Sequence, residues 1–394
     1  MRRNWLMAAL FASIFALSGC LSTSVVQEGT YVIEGKIKNL PDSTVLWLYK
    51  SDGYLLEEMH SATVINGKFT IKDTIGSTVP QAFYLSSDAQ GFPNYLFTIW
   101  VQSGKLTKIT GKDRLHPLWQ VSGDVKEQQD ANHFMALCPA ERKRSLELSV
   151  QENDLLLRET QDGPERTWEK VDSLRRLKDP LDSLVYLAEL NYMKTAPVTT
   201  VWLEKYREYS SFLKSYYKVF GHAGLIRSLY ARMSEADKVT EAGQEITAYM
   251  NLPSEVEVGG EMADGDLYDA DGNVHRLAEF KGKYILLDFW SQGCSPCIQA
   301  LPETDKIAEQ YKGRLEVVSI SVDPEKLWKA YLEKKPLKGN QWNELRKGHT
   351  GLAAAYQLTG IPHYVLISPQ GKVLWIRTGY GFGMLEKKME EMVK

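Results

Sequence analysis

The sequence contains the stretch Tyr284-Ile-Leu-Leu-Asp288-Phe-Trp290-Ser-Gln-Gly-Cys294-Ser-Pro-Cys297. The apolar run at its start predicts a buried strand, because it is short, continuous and followed by turn residues. Two cysteines separated by two residues then fall in the first turn of a predicted helix. This order of strand, turn and paired thiols predicts a chemical site at the carboxyl end of the strand.

The spacing of Cys294 and Cys297 permits either a small disulfide or half of a metal site. A structural zinc site requires two further ligands. The sequence has no second cysteine pair, and the next histidine downstream is His349, so redox chemistry is the favoured interpretation. Unpaired N–H groups and the helix dipole stabilise an anion at a helix N-terminus. They favour the thiolate of Cys294, whereas Cys297, one turn further on, is expected to be more buried and less acidic.

The pattern Asp-Phe-Trp-x-x-x-Cys-x-Pro-Cys over residues 288–297 closely resembles the active-site segment of thioredoxins. Gly360-Ile361-Pro362 resembles their cis-proline loop, and Gly379 matches their late glycine. The length between the cysteines and this loop is more similar to the TlpA/ResA branch of thiol-disulfide oxidoreductases, within the AhpC/TSA-thioredoxin superfamily. The resemblance implies a thioredoxin domain over residues 255–394.

The same resemblance implies roles for single residues. Cys294 is expected to be the attacking thiolate and Cys297 the resolving thiol, and the two form a redox-active disulfide. Asp288 matches the family's buried acid, which accepts the proton of Cys297. The implied substrate-binding residues are Trp290, which flanks the dithiol, and Ile361 and Pro362, where a substrate strand pairs with the backbone.

Four features near the dithiol differ from the pattern of some thioredoxin-like proteins and bear on the expected chemistry. Gly293 replaces the aromatic residue that thioredoxin has before its first cysteine, which opens the substrate face. Ala300 stands where many TlpA/ResA-like proteins have a glutamate, so Asp288 is expected to act without a second acid. His363 either tunes the thiolate or is an ordinary strand-edge residue. The two residues between the cysteines, Ser295 and Pro296, are more similar to the Gly-Pro pair of thioredoxin than to the corresponding pair of oxidising relatives. This similarity favours a low reduction potential, at which the dithiol acts as a reductant.

Residues 1–19 have the pattern of an export signal, with Arg2 and Arg3 ahead of an apolar segment too short to span a membrane comfortably. The segment ends in Leu17-Ser18-Gly19-Cys20, which resembles the lipobox of bacterial lipoproteins. Cys20 is therefore the predicted lipidation site, residues 20–29 a lipidated tether, and an ordinary signal peptide the alternative. The predicted location is the cell envelope, anchored by lipid to a bacterial membrane and facing the periplasm. Leu21 gives no acidic retention signal, which favours the outer membrane.

Residues 30–123 predict an antiparallel β domain, with short strands and a hairpin turn at Asn66-Gly67. Residues 124–250 predict a helical segment, in which Cys138 is expected to be a packed core cysteine near a helix end. An aromatic stripe in this segment predicts one face of a long helix, either core packing or a groove for a client protein. The stripe consists of Trp202, Tyr206, Tyr209, Leu213, Tyr216 and Phe220.

The sequence as a whole predicts an α/β thioredoxin-fold C-terminal domain, preceded by an all-β N-terminal domain and a helical middle segment. The favoured function is a membrane-anchored thiol-disulfide oxidoreductase that reduces protein disulfides in the cell envelope. Its expected partners are disulfide-bearing client proteins, an electron donor in the membrane or envelope, and the membrane itself. Neither a cofactor nor a metal is expected. The formal net charge of −3 and the lack of a basic run argue against nucleic-acid binding.

Two other functions remain open from the sequence. A thiol peroxidase of the peroxiredoxin class is compatible with Ser291, three residues before Cys294, although Leu287 occupies the position where such enzymes have a proline. In a client-binding envelope protein, residues 30–250 hold the partner and the thioredoxin domain serves as a scaffold. A copper chaperone is less favoured, because only two residues separate the cysteines.

Overall fold

The computed structural model describes residues 26–51, 56–157, 164–214, 221–346, 348 and 350–394. The predicted signal segment, the lipidation site Cys20 and most of the predicted tether lie outside the described residues. Three regions follow one another along the described chain, in the predicted order: a β region, a helical region and an α/β region.

The N-terminal region consists of two facing β-sheets with a shared core. Its strands are β1 (Thr30–Ile37), β2 (Val45–Ser51), β3 (Leu56–Thr63), β4 (Lys68–Thr74), β5 (Gln81–Ser86), β6 (Phe97–Val101), β7 (Leu106–Gly111) and β8 (Gln120–Gly123). One sheet has the order β4-β1-β7-β8 and the other the order β3-β2-β5-β6. Alternate residues of β1 are buried, and the ring of Tyr31 lies 5.5 Å from that of Phe83 in the facing sheet. The period of two in the sequence thus corresponds to one buried face per sheet.

The Asn66-Gly67 turn joins β3 to β4, and both residues have positive φ angles of 51° and 68°. These angles confirm the predicted type I′ turn. The prediction of purely antiparallel pairing was wrong for one pair, because β1 and β7 run parallel, with Val32 opposite Leu106. Between β1 and β7 the chain passes through strands of the other sheet. Two strands that are joined by such a crossover connection can lie side by side and run parallel.

The middle region is helical, and its aromatic residues form its core. Its helices are α1 (Lys126–Met135), α2 (Pro139–Leu157), α3 (Pro164–Met193), α4 (Thr200–Ser211), α5 (Ala223–Leu229), α6 (Glu235–Lys238) and α7 (Glu241–Met250). Trp202, Tyr206 and Tyr209 are buried together, so core packing accounts for this part of the stripe and a client groove does not. The predicted long helix was wrong: α4 ends at Ser211, where three successive N–H groups bond three residues back and close the helix with a tight turn. Tyr216 and Phe220 lie outside the described residues.

Cys138 lies in the short connection between α1 and α2, with a φ angle of 48°. Its predicted position near a helix end is confirmed. It is a free, half-buried thiol, so the prediction of a packed core cysteine was wrong. The turn is held by Arg142, whose guanidinium donates to the carbonyl oxygens of Leu137 at 2.8 Å and Phe134 at 3.0 Å.

The C-terminal region is a mixed sheet with helices on both faces, in the order β10-β9-β13-β12-β11-β14-β15. Its strands are β9 (Leu267–Tyr268), β10 (Val274–His275), β11 (Tyr284–Trp290), β12 (Leu315–Ser321), β13 (Asn340–Asn343), β14 (His363–Ile367) and β15 (Val373–Thr378). Its helices are α8 (Ser295–Gln310), α9 (Glu325–Lys334), α10 (Leu352–Ala355) and α11 (Met384–Met392). The interior strand β11 runs parallel to β12 and antiparallel to β14. Because β11 is buried on both faces, its sequence reads as a continuous apolar run.

Candidate active site

The two cysteines lie where the interior strand β11 passes into helix α8. A turn over residues 291–293 separates them from Trp290, and Cys294 is the N-cap residue of α8. Its sulfur accepts a hydrogen bond of 3.2 Å from the amide of Cys297. Pro296 lies in the first turn of α8, where backbone N–H groups have no partner within the helix, so proline costs no hydrogen bond there. The two sulfurs form a disulfide. Cys297 is 1% exposed whereas Cys294 is half-buried, so Cys294 is the sulfur that a partner can reach.

An apolar cluster surrounds the disulfide. Trp290, Cys297 and Trp328 are buried together, and Cys294 and Ile361 pack against them. The Ile361-Pro362 peptide is cis. The carbonyl oxygen of Pro362 accepts a bond of 2.8 Å from the amide of Gly379, whose φ of +90° suits glycine. The structure therefore brings together the dithiol, the tryptophan and the loop that the sequence had placed at one site.

Asp288 lies on the same face of β11 as Leu286 and Trp290, since side chains alternate along a strand. Trp290 packs against Cys297, and Leu286 packs in the cluster that contains Ala300 of α8. Asp288 therefore lies beneath the first turns of the helix that carries the dithiol. It is 1% exposed, and burial raises the pKa of its carboxyl from 3.8 to about 7. Its Oδ1 atom has no hydrogen-bond partner among the described residues.

Asp323 was not singled out from the sequence, yet it orders the turn before Cys294. Its carboxylate accepts bonds from the hydroxyl of Ser291 at 2.6 Å and from the amide of Gln292 at 2.8 Å. Asp323 is 8% exposed and follows β12. Its signal in the sequence is an acid two residues after a buried strand, at the edge where neighbouring parallel strands also end.

Glu303 was also missed, because a glutamate in a helix usually faces solvent. It is 5% exposed and lies on the buried side of α8. Its carboxylate accepts bonds from the hydroxyl of Tyr380 at 2.8 Å and from the amides of Gly383 at 3.1 Å and Glu386 at 2.8 Å. Glu303 thus satisfies the unpaired N–H groups at the start of α11 and joins that helix to α8. The helical spacing of Ala300, Glu303 and Ile307 was the available signal.

The structure also shows the surroundings of Gly293, Ala300 and His363, which the sequence comparison with thioredoxin-like proteins had singled out. Gly293 is exposed, and an added Cβ there would meet only the Ser291 hydroxyl oxygen, at 3.8 Å. Ala300 is buried in an apolar cluster. His363 is 2% exposed and lies opposite Phe289, on the face of the sheet away from Asp288. Burial lowers the pKa of its imidazole to about 4, so neutral His363 brings no positive charge to the thiolate.

The described residues contain no group of three or more His, Cys, Asp and Glu side chains that could hold a metal ion. None of the helices in the described ranges is both long and apolar enough to cross a membrane.

Comparisons with known proteins identify the family of the C-terminal region. The family model described as AhpC/TSA family matches residues 258–376. The thiol-disulfide oxidoreductase ResA of Geobacillus thermodenitrificans is 31% identical over 138 residues, which are 34% of this chain and 78% of that protein. ResA of Geobacillus kaustophilus is 30% identical over the same length and shares. The chain belongs to the family of ResA-type thiol-disulfide oxidoreductases. The predicted enzyme class and the predicted thioredoxin fold of the C-terminal region are thereby confirmed.

Solved structures of similar proteins are known as well. The thioredoxin domain of a thiol-disulfide oxidoreductase from Bacteroides vulgatus is 29% identical, with a TM-score of 0.32, and the match covers 36% of this chain and all of that one. A thiol:disulfide interchange protein from Bacteroides sp. is 28% identical, with a TM-score of 0.32, over 35% of this chain and 91% of that one. A second family model, a domain of unknown function named DUF4369, matches residues 31–129. This match supports an all-β N-terminal domain next to the ResA-type domain.

Proposed function

We propose that this ResA-type protein reduces disulfides of client proteins in the cell envelope through Cys294 and Cys297. The observation that carries the proposal is the difference in burial of the two sulfurs at the start of α8, above the buried Asp288. The reachable sulfur is the one that a client disulfide meets first. The sheltered sulfur then reacts only within the protein.

In the reduced protein, the thiolate of Cys294 attacks one sulfur of the client disulfide. The client S–S bond breaks, one client thiolate leaves, and a mixed disulfide with Cys294 forms. Cys297 passes its proton to the carboxylate of Asp288 and attacks the sulfur of Cys294. The second client thiolate leaves, and the Cys294–Cys297 disulfide results. The client has gained two electrons, and an external dithiol donor in the membrane or envelope restores the protein.

The pKa of Asp288 near 7 suits its proposed role as the proton acceptor. A base whose pKa lies close to the working pH combines a sufficient ionised fraction with a useful affinity for the proton. The proposed substrate-binding residues are Ile361 and the neighbouring Pro362. Trp290 is 0% exposed, so its expected contact with a substrate was wrong, and it supports the dithiol by packing against Cys297. Ile361 packs against the cluster around the dithiol, where an extended client segment can lie beside its backbone.

A lipid anchor at Cys20 is part of the proposal and rests on the sequence Leu17-Ser18-Gly19-Cys20. Anchoring keeps the dithiol close to a membrane donor and to secreted clients. Growth with a labelled fatty acid tests it: the wild-type chain is expected to carry label and to fractionate with the outer membrane, whereas Cys20→Ala carries none. Equal labelling of both chains contradicts the anchor and leaves the redox proposal untouched.

A thiol peroxidase is not favoured by the position of Ser291. Its hydroxyl donates to Asp323 at 2.6 Å and is thus committed to ordering the turn. A peroxide would need a donor directed at the reacting sulfur.

The test is to trap clients with Cys297→Ser in the full-length chain. Without the resolving thiol, Cys294 is expected to retain clients as mixed disulfides that dithiothreitol releases. Cys138 is half-buried and free, so the experiment is done in a Cys138→Ser background. Cys294→Ser in the same background is the matched control and is expected to retain none. If neither variant retains clients before dithiothreitol is added, client reduction is contradicted.

A further inference from the structure

Tyr364 lies directly opposite Asp288 across the antiparallel pair of β11 and β14. Directly opposite residues project from the same face of a sheet, with Cβ atoms about 5 Å apart. Both side chains therefore lie between the sheet and the helices α8 and α11, and Tyr364 packs in the cluster that contains Ala300 and Leu385. Tyr364 is 0% exposed and Asp288 is 1% exposed.

Each of the two side chains has a buried polar atom that makes no hydrogen bond to the described residues. The hydroxyl of Tyr364 and the Oδ1 atom of Asp288 have no hydrogen-bond partner within the described part of the chain. Buried polar groups in proteins are nearly always paired, and a catalytic role is one explanation for an exception. The two unpaired atoms are complementary, because a phenol can donate a hydrogen bond and a carboxylate can only accept one.

The strand on the other side of Asp288 provides a second hydroxyl. Ser319 of β12 lies opposite Asp288 and is 3% exposed; it is neutral and can also donate a hydrogen bond. Helix α8 contributes Cys297 and Glu303, and α11 contributes the apolar residues Leu385 and Met389. Tyr380, after β15, donates its hydroxyl to Glu303. Burial raises the pKa of the Tyr364 phenol, and the nearby Asp288, Tyr380 and Glu303 raise it further, so Tyr364 retains its proton and can donate a hydrogen bond.

We propose that Tyr364 is a positioning residue for Asp288, whose hydroxyl donates a hydrogen bond to the carboxylate when that group is ionised. The proposal rests on the role of Asp288 in the proposed function. In the oxidised structure the two groups are not bonded, and such contacts often tighten only in the reacting state. A donor to the charged form favours that form. Tyr364 thereby keeps enough of Asp288 ionised near neutral pH to receive the proton of Cys297, in a chain where Ala300 replaces a second acid.

The experiment follows the two steps of one turnover with the reduced full-length chain and the disulfide reagent DTNB. The first coloured thiolate is released when Cys294 attacks the reagent, and the second when Cys297 attacks the mixed disulfide. Cys138→Ser serves as the background. Tyr364→Phe removes only the hydroxyl, and Tyr356→Phe is the matched control. Tyr356 is buried on the other side of the sheet, where its hydroxyl donates to the carbonyl oxygen of Ala263 at 2.9 Å.

Tyr364→Phe is expected to leave the first release unchanged and to move the pH midpoint of the second upward by about one unit. Tyr356→Phe is expected to keep the wild-type midpoint. An unchanged midpoint in Tyr364→Phe overturns the inference about Tyr364. A second release that is identical in wild type and Asp288→Asn instead overturns the role of Asp288, and with it this part of the proposed function.

A double variant separates hydrogen bonding from packing. In an Asp288→Asn chain the carboxylate is gone, so adding Tyr364→Phe is expected to change the second release by less than about twofold. A large additional loss in that background means that the phenol acts through packing, which overturns the inference.

Discussion

The hydroxyl of Ser291 donates a hydrogen bond of 2.6 Å to the carboxylate of Asp323, which lies 32 residues later in the chain. The same carboxylate accepts the amide of Gln292. Asp323 follows β12, the parallel neighbour of β11, so the bond joins the ends of two adjacent strands. It fixes the path of the turn that leads into Cys294, and thus the position of the reachable sulfur relative to the rest of the site.

Replacing Asp323 with alanine is expected to loosen this turn. The amide of Gln292 loses its acceptor in a partly buried place, which costs about 1–3 kcal/mol. The reaction of Cys294 with iodoacetamide is expected to slow in the reduced protein, because the helix N-terminus no longer holds the thiolate in place. Rates across pH measure this effect. Asp305→Ala, at an exposed position of α8, is the control, and equal alkylation rates in the two variants count against a role for the turn.

Asp288 is expected to make the oxidised protein less stable as pH rises. The pKa of its carboxyl is about 7 in the folded chain against 3.8 for an unburied group. The folded state therefore holds the proton more tightly, and its stability falls between about pH 4 and pH 7. Removing the charge with Asp288→Asn is expected to stabilise the protein above pH 7, by an amount on the order of 3–4 kcal/mol.

Calorimetry of the oxidised chain at pH 5 and pH 8 measures this stabilisation. The transition temperature of Asp288→Asn is expected to exceed that of wild type more at pH 8 than at pH 5. Asp305→Asn removes an exposed carboxyl from α8 and is expected to change neither value. A difference between Asp288→Asn and wild type that is the same at both pH values contradicts a buried, shifted carboxyl.

Glu303 is expected to stabilise the docking of α11. In Glu303→Ala the amides of Gly383 and Glu386 and the hydroxyl of Tyr380 lose their acceptor. The expected loss is about 2–4 kcal/mol, since three partly buried donors are left unpaired. Hydrogen exchange over residues 384–392 reports it locally. Glu309→Ala removes an exposed glutamate from α8, the helix that carries Glu303, and is expected to leave the exchange of α11 unchanged. If α11 stays protected in both variants, the role of Glu303 in docking α11 is contradicted.

The β region is expected to fold with little influence on the dithiol. Gly35 lies opposite Phe69, and an added Cβ would lie 1.9 Å from the Phe69 ring. Gly35→Ala is therefore expected to destabilise this region by about 1–3 kcal/mol. The release of both thiolates from DTNB is expected to stay at the wild-type rate, with Gly381→Ala, where no atom lies near, as the stability control. A slowed dithiol reaction in Gly35→Ala means that the two regions are coupled.

The sequence predicted those parts of the site that depend on local order. Cys294 and Cys297 lie in one helical turn, and the burial of Asp288 follows from the apolar residues around it in β11. The Asn66-Gly67 turn was predictable because few other residues adopt positive φ at two successive positions.

The features that were missed depend on contacts between distant residues. Asp323 and Glu303 act on partners 31 to 83 residues away, and nothing in the local sequence reveals those partners. The pairing of Tyr364 with Asp288 depends on the register of two strands, which a sequence pattern does not give. The parallel pairing of β1 with β7 depends in the same way on how the chain crosses between two sheets.

The most direct test of the account is the reduction potential of the Cys294–Cys297 pair. The purified chain with Cys138→Ser is equilibrated in buffers of defined dithiol potential, and its free thiols are counted at each. A client reductase is expected to lie close to thioredoxin, at about −270 mV. A value near the strongly oxidising DsbA, at about −120 mV, would contradict the account, because such a pair withdraws electrons from client thiols.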